Sequence, residues 1–339
     1  MAEESLKPQV AVIILNWNGE KLLKEFLPSV VAHTNLEIGK VIVADNGSTD
    51  GSLSLLEKKF SSVEVLRFDE NHGYAGGYNL AIEHYATEYP YVVLLNSDVA
   101  VDGDWLSPLY RFMVEHDEVG ACQPKILSYR NPSQFEYAGA CGGFIDRNGY
   151  PYCRGRVFAT LEEDHGQYDN AMPIFWATGA ALMIRSQLYI KVGGLDVDFF
   201  AHMEEIDLCW RTLLSGRQIY VVPQSHVYHL GGGSLDASNP RKTYLNFRNN
   251  LLMLHKNLPR RVGRRTLFWR RILDSIAWCK FVVAFDWKNA VAVLRAHRDF
   301  RRMRKKYVDF PTHDLLHTSP SRPNILIDYF LLRRLKWRR

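Results

Sequence analysis

Four short apolar runs in the first hundred residues each end in an acid or an amide, and this arrangement constrains the fold more than any other feature of the chain. The runs are VAVIILN (residues 10–16), KVIVADN (40–46), VEVLRFD (63–69) and YVVLLNSD (91–98). Between them lie the helix-patterned segments EKLLKEFLPSVVAH, SLSLLEKKF and YNLAIEHYATEY. Strand-length apolar runs bounded by turn residues and separated by helical stretches predict βαβ units and therefore parallel strands. Such strands are apolar on both faces, so helices must cover both sides of the sheet. The predicted class is α/β, with a mostly parallel sheet between two layers of helices. Ligands of these sheets bind outside the carboxyl ends of the strands. Asn16 and Asn18, Asp45 and Asn46, Asp69 and Asn71, and Asn96 and Asp98 are thus expected to form one polar rim.

Taken singly, each of these strand ends has an ordinary reading. Asn96-Ser97-Asp98 is a plausible turn, and Asp45-Asn46-Gly47 followed by Ser48 and Thr49 reads as a turn leading to a helix cap. Alternatively, Asp45 accepts a hydrogen bond from a nucleobase N–H or a ribose hydroxyl. The first strand ends in NWNG rather than G-x-G-x-x-G, and the dense glycine cluster HGYAGGYN lies far from that turn. A dinucleotide-binding fold is disfavoured accordingly.

Beyond Asp102 the regular alternation weakens. Residues 128–167, rich in Gly and Tyr, read as an irregular or hairpin-like insertion. IFWATGAALMIRSQLYIKVGGLD returns to strand and helix, FFAHMEEIDLCWRTLLSG predicts a helix ending at Gly216, and RQIYVVPQSHVYHLGGGS a strand followed by a glycine-rich loop. From about Tyr244 the chain reads as helical and basic. The net charge of +5 hides this asymmetry: from Pro259 onward there are 21 Lys and Arg against 6 Asp and Glu, and before it 21 against 31. The two parts therefore face different partners. Residues 275–294 hold the longest apolar run of the basic part, but Lys280, Asp286 and Lys288 interrupt it, so no membrane-spanning helix is expected. Five cysteines without a C-x-x-C pair and without a preceding signal peptide fit a reducing cytoplasm better than a disulfide framework.

The ordered set VAVIILNWNG, VIVADNGSTDGS, NHGYAGGYN, LLNSDV, ATGAALMIR, GGLDVDFFAHMEEIDLCWR and VYHLGGGS resembles the family 2 glycosyltransferases, in particular bacterial rhamnosyltransferases of surface-polysaccharide assembly. The resemblance runs from about Val10 to Pro259, roughly three quarters of the chain. It implies the glycosyltransferase type A fold, a Rossmann-like sheet, with a catalytic domain over residues 1–258. It also implies a nucleotide-diphosphate-sugar donor (a dTDP- or UDP-sugar), a divalent cation (Mg²⁺ or Mn²⁺) and inversion at the anomeric carbon.

Carried onto this sequence, the resemblance places the nucleotide against Asn16, Asn18 and Asp45. Asn71, Gly76, Gly77 and Asn79 would line the donor pocket. Asn96-Ser97-Asp98 matches the D-x-D motif with Asn in the first place, leaving Asp98 as the acidic metal ligand, and His229 matches a histidine that approaches the metal or the diphosphate. The family pattern Glu-Asp, whose Asp is taken as the general base, stands here as Glu204-Glu205; the base is expected at Glu205, with Glu204 as the other candidate. Asp207 is read as a structural partner of Arg211 at i, i+4. Arg248, on the following helix, would neutralise the leaving diphosphate or lie on a solvated face.

The acceptor is expected to be a glycan hydroxyl, carried on a membrane lipid. Residues 259–339, cationic and interleaved with Trp269, Trp278, Phe281, Phe285, Trp287 and further aromatics, fit an anionic membrane surface; the alternative is a helical tail packed on the catalytic domain. The expected location is cytoplasmic, peripheral on the inner face of the membrane. Two other functions compete: a nucleotide-sugar-binding module without catalysis, and nucleic-acid binding through the basic region. The second is disfavoured because acidic strand ends repel a polyanion.

Overall fold

The structure, a computed structural model, describes residues 7–231, 239–308, 312–317 and 323–338. Strands β1 (Val10–Asn16), β2 (Gly39–Asn46), β3 (Glu64–Phe68) and β4 (Tyr91–Leu95) alternate with helices α1 (Glu20–His33), α2 (Ser52–Lys59) and α3 (Gly73–Tyr85). All four pair in parallel in the order β3-β2-β1-β4. Along β1 the side chains alternate between two cores. Ala11 and Ile13 pack on the side that also holds Tyr78 and Ile82 of α3, whereas Val10, Val12 and Ile14 join Leu23 and Leu27 of α1 on the other. A strand with two buried faces must be apolar at every position, and that accounts for its unbroken run.

β5 (Val99–Ala100), α4 (Leu106–Glu115) and β6 (Val119–Ser128) follow. The insertion expected as irregular or hairpin-like forms a separate antiparallel sheet of β7 (Gly143–Ile145), β8 (Pro151–Cys153), β9 (Arg156–Val157) and β10 (Thr160–Leu161). Next come β11 (Met172–Pro173), β12 (Ala181–Arg185), α5 (Ser186–Lys191), α6 (Glu204–Leu214) and β13 (Gln218–His229). β12 enters antiparallel between β4 and β6, and β13 runs parallel to β6. The main sheet therefore reads β11-β13-β6-β12-β4-β1-β2-β3, with β5 on β13.

The helix predicted from Phe199 starts later than its sequence pattern suggests. Residues 197–199 make one tight turn, and Phe200, His202 and Met203 take φ of +65°, +68° and +75° before α6 begins at Glu204. Left-handed backbone at non-glycine residues is costly and persists only where the surroundings impose it. At the other end Gly216, with φ of +87°, stops the helix as its sequence predicts.

Helices α7 (Pro240–Asn257), α8 (Arg260–Val283) and α9 (Trp287–Met303) complete the chain's helical part. α9 lies along α7 and buries Ala290, Ala292, Val293, Ala296 and Phe300. α8 is fastened by Arg270, which reaches Asn250 of α7 and lies 3.2 Å from Asp274, while His297 of α9 meets the same aspartate at 3.1 Å. The basic region is thus packed on the rest of the molecule. Its outer face still carries exposed Phe268, Trp269, Ile276, Phe285, Trp287 and Leu294. Among the described residues, no helix is long and apolar enough to cross a membrane. Four of the five cysteines are buried as free thiols and Cys279 is exposed.

Candidate active site

The rim predicted at the strand ends exists, and its members bond to one another or to the adjoining loops, except Asp69, which is exposed. At the tip of β1, Asn16 donates to Asp45 Oδ1 (2.9 Å) and to Ser48 Oγ (3.1 Å), and Asp45 Oδ2 accepts from the Ser48 amide (3.0 Å). Asn16 Oδ1 is buried and finds no partner among the described residues. Asn18, with φ of +50°, accepts from the Thr49 amide (2.7 Å), and its own amide donates to Ser48 Oγ (2.9 Å), so it latches the β1–α1 loop to the β2–α2 loop. The residues singled out for turn-making and for nucleotide contact are therefore a single cluster.

Asn46 links this cluster to the next loop. It donates to Asn71 Oδ1 (3.0 Å) and the Gly73 carbonyl (3.1 Å) and accepts from the His72 amide (3.0 Å). Gly77 allows α3 to reach the sheet closely, because a Cβ there would stand 2.7 Å from Leu15 and 3.0 Å from Asn46. That space belongs to helix–sheet packing rather than to a ligand, and Gly76 lies beside it, under His72. Asn79 is likewise spent internally: its amide donates to the Leu195 carbonyl (2.8 Å), and its oxygen accepts from Tyr189 (2.6 Å) and the Leu195 amide (2.9 Å). It holds the start of the loop that leads to α6.

At the end of β4, Asp98 Oδ1 lies 3.1 Å from His229 Nε2, so the two candidate cation ligands, far apart in sequence, meet in space. Asn96 Nδ2 stands 3.5 Å from the same nitrogen. On the far side of the imidazole, Nδ1 is 3.5 Å from the buried carboxylate of Glu136, a residue of the insertion that sequence reasoning missed. Burial alone would lower the His229 pKa, but the bonds and charges of Asp98 and Glu136 prevail and raise it to about 10. For Asp98 burial raises the pKa, and the contact with His229 overcomes it and leaves the carboxyl below its usual range. Of the glycine-rich loop after His229, Gly231 is described; Gly232, Gly233 and Ser234 of the predicted motif lie outside the described residues.

Tyr74 joins this half of the rim to the glutamates. Its hydroxyl donates to Asn96 Oδ1 (3.3 Å) and to the Gly179 carbonyl (3.1 Å). A Cβ on Gly179 would fall 2.7 Å from that hydroxyl and 3.7 Å from Glu205 Cβ, so the glycine admits both neighbours. Glu204 and Glu205 open α6, and each has a buried Oε2 without a partner among the described residues. Burial, together with the charge of Glu205, pushes Glu204 well above the usual carboxylate range. Burial raises Glu205 to about 7 against the opposing pull of backbone N–H groups at the helix start. His202, just before them, has an unpartnered Nε2 and is pushed down to about 4 by burial and by Lys242, so it is neutral at pH 7.

Arg248 does something other than meet a diphosphate. It is buried, and its guanidinium donates to the carbonyls of Asp198 and Phe199 (both 2.9 Å) and to Asn249 Oδ1 (2.8 Å). Asn249 in turn donates to the carbonyls of Phe199 (2.8 Å), Ala201 (2.8 Å) and His202 (2.7 Å). Lys256 bonds Asp196 (2.7 Å) and Asp207 (2.9 Å), and Asp207 also holds Arg211 at 2.8 Å, the structural pair expected from the sequence. Helix α7 is therefore a clamp that imposes the left-handed backbone before Glu204. Asn249→Ala is expected to cost about 1–3 kcal/mol of stability by leaving buried carbonyls unpaired, measurable by denaturant unfolding. Arg248→Lys should leave donor affinity unchanged and lower turnover about tenfold through misplacement of the glutamates; a selective loss of donor affinity would restore the diphosphate role.

The model of glycosyl transferase family 2 matches residues 11–169. Residues 11–169 are a glycosyltransferase family 2 domain. A low-salt glycan biosynthesis hexosyltransferase of Haloferax volcanii is 24% identical over 296 residues, covering 84% of this chain and 88% of the relative. An N-acetylglucosaminyl-diphospho-decaprenol L-rhamnosyltransferase of Mycobacterium tuberculosis is 26% identical over 236 residues, 64% of this chain and 75% of the relative. Among solved structures, GalNAc-T7 with UDP, GalNAc and Mn²⁺ superposes with a TM-score of 0.57 at 16% identity, over 75% of this chain and about half (49%) of that one. The fold is that of the type A glycosyltransferases. The family 2 match holds Asn16, Asp45, Asn96 and Asp98, while Glu204, Glu205 and the α7 clamp lie beyond it.

Proposed function

We propose that this nucleotide-sugar glycosyltransferase moves one sugar, with inversion at the anomeric carbon, from a dTDP- or UDP-sugar to a hydroxyl of a lipid-linked glycan, with a divalent cation at Asp98 and His229. The observation that carries the reading is the pair of unpartnered, buried carboxylate oxygens on Glu204 and Glu205, joined to the Asp98 rim through Gly179, Tyr74 and Asn96. In an inverting transfer the acceptor hydroxyl must give its proton to a base as it attacks opposite the leaving diphosphate. A carboxylate with a raised pKa and a free oxygen is suited to that task, and Glu205, beside Gly179, is the residue we assign to it. The Mycobacterium relative bears rhamnosyl transfer to a diphospholipid-linked sugar in its name, which supports a rhamnosyl donor and a lipid carrier here.

The donor set at Asp98 fits a divalent cation once His229 Nε2 gives up the proton it shares with Asp98, with the donor's phosphates completing the shell, since among the described residues no third His, Cys, Asp or Glu joins the pair in a metal-holding group. One carboxylate oxygen and one imidazole nitrogen stand 3.1 Å apart, and neighbouring ligands of an octahedral ion with bonds of about 2.1 Å are separated by about 3 Å. Imidazole favours Mn²⁺ over Mg²⁺. When bound, such a cation supplies positive charge to a leaving diphosphate. Glu136, behind His229 Nδ1, would fix the orientation of the ring. Glu136→Gln is therefore expected to weaken Mn²⁺ binding by about 10–100-fold, read by manganese electron spin resonance, and unchanged affinity would remove Glu136 from the site.

We assign the protein to the inner face of the cytoplasmic membrane, held peripherally through its basic helices. Nuclear magnetic resonance of the product tests the central step: the new glycosidic bond should have the anomeric configuration opposite to that of the donor, and retention would overturn the role given to Glu205.

A further inference from the structure

A cavity of about 430 Å³ lies between α7 and α9, away from the strand-end rim. Its wall carries Arg241, Lys288, Arg295 and Arg298 against a single carboxylate, Asp299. Asp299 is already taken by Arg298 (3.0 Å) and by the Tyr244 hydroxyl (3.0 Å). Arg241, Lys288 and Arg295 have no carboxylate partner among the described residues. Four cations around one compensated acid make a site for a polyanion, and guanidinium groups suit phosphate oxygens in particular. The cavity also has an apolar side. Val291 lines it, and the exposed Leu294, Trp287 and Phe285 continue outward from it on α9 and the α8–α9 turn.

Two contacts tie this cavity to the glutamates. The Arg241 guanidinium sits 4.7 Å from the ring of Phe200, one of the left-handed residues before α6. A hydrogen-bonded line also runs from Asp299 through Tyr244 (3.0 Å) and Arg248 (3.4 Å) to the Asp198 and Phe199 carbonyls. A ligand held here is thus beside the base-bearing loop.

We infer that the α7–α9 cavity binds the diphosphate of a polyprenyl-diphosphate-linked acceptor, with the lipid chain leaving across Leu294, Trp287 and Phe285. This rests on the acceptor class proposed above. The cations pair with the diphosphate, and each nearby one contributes attraction that salt screens. The apolar rim accounts for a lipid rather than a free phosphate, because an exposed strip of Trp, Phe and Leu beside a cationic cavity suits a chain that carries both groups.

The test uses the full chain in the presence of a chelator, so that the cation-dependent donor site is silent, with geranylgeranyl diphosphate in detergent micelles as the probe. Inorganic pyrophosphate and geranylgeraniol are the comparison arms. Wild-type protein should bind geranylgeranyl diphosphate at least tenfold more tightly than either. The charge-reversed pair Lys288→Glu and Arg295→Glu, both exposed and outside the catalytic rim, should lose at least tenfold of that affinity. The same variant should hydrolyse a nucleotide sugar in the presence of Mn²⁺ at the wild-type rate, which separates this proposal from the donor chemistry. Equal lipid binding by variant and wild type would overturn the inference. So would pyrophosphate binding as tight as that of the lipid, which would make the cavity a free-phosphate site. If the lipid binds as expected while no nucleotide sugar is hydrolysed by either protein, the donor assignment fails and the cavity assignment stands.

Discussion

Glu205→Gln is expected to lower turnover by about a hundredfold or more with donor affinity nearly unchanged, since the amide keeps the shape of the side chain and cannot take a proton. Glu204→Gln should do less. The pH profile carries the same information with a definite sign. A base works when ionised, and burial raises Glu205 to about 7, so wild-type turnover should climb as pH rises through about 7 and level off above it. The variant should lose that limb. Stability should move the other way. A carboxyl whose folded pKa is raised binds more protons folded than unfolded between its ordinary range and its raised value, so it costs stability as pH rises through that window. Glu205→Gln should therefore melt at or above the wild-type temperature at pH 8. A variant that is both less stable and unaltered in its pH profile would make the glutamate structural.

Asp98→Ala is expected to abolish cation-dependent donor binding while the chain stays folded, because a carboxylate at the lip of β4 contributes little packing. The remaining imidazole then keeps Glu136 and Asn96, each at 3.5 Å. Calorimetric titration of the variant with the donor, with and without Mn²⁺, checks this directly. Donor affinity that still responds to Mn²⁺ as it does in the wild type would place the cation elsewhere.

The parallel strands, their helices and the polar rim were legible in the sequence because each rests on local chemistry: an apolar run sheathed on both faces, closed by a residue that can bond to a loop. The meeting of Asp98 with His229 followed from a resemblance and not from spacing, since nothing local to HVYHLGGGS says which strand end it will face. The antiparallel entry of β12 between β4 and β6 had no local signal either, because strand direction within a sheet is a property of the whole topology. Glu136 was invisible for a related reason: it sits in a Gly- and Tyr-rich stretch without periodicity, and only the folded insertion brings it behind His229.

Arg248 shows the opposite error. A helical arginine following acidic catalytic candidates reads as a phosphate ligand or as part of a solvated face, yet it is buried, with Nη2 spent on the Asp198 and Phe199 carbonyls that the left-handed turn presents, Nε on Asn249 and Nη1 on Tyr244. Sequence pattern predicted helix there from Phe199 onward, and a helix would have hidden those carbonyls in its own hydrogen bonds. The misplaced helix start and the misassigned arginine have one physical origin, the backbone of residues 200–203. The membrane question turned on packing in the same way. α9 buries Phe300 and Ala296 against the body of the protein, so removing residues 259–339 would damage the fold, and substitution of exposed side chains is the informative route.

The measurement that bears most directly on the account is a binding titration of the full chain with a panel of nucleoside-diphosphate sugars, in Mn²⁺ and again in a chelator, repeated on Asp98→Ala. The account predicts that one donor, a dTDP- or UDP-sugar, binds in Mn²⁺, loses most of its affinity in the chelator, and is not rescued by Mn²⁺ in the variant. Donor binding that is indifferent to both the cation and Asp98, or the absence of any nucleotide-sugar binding, would contradict it.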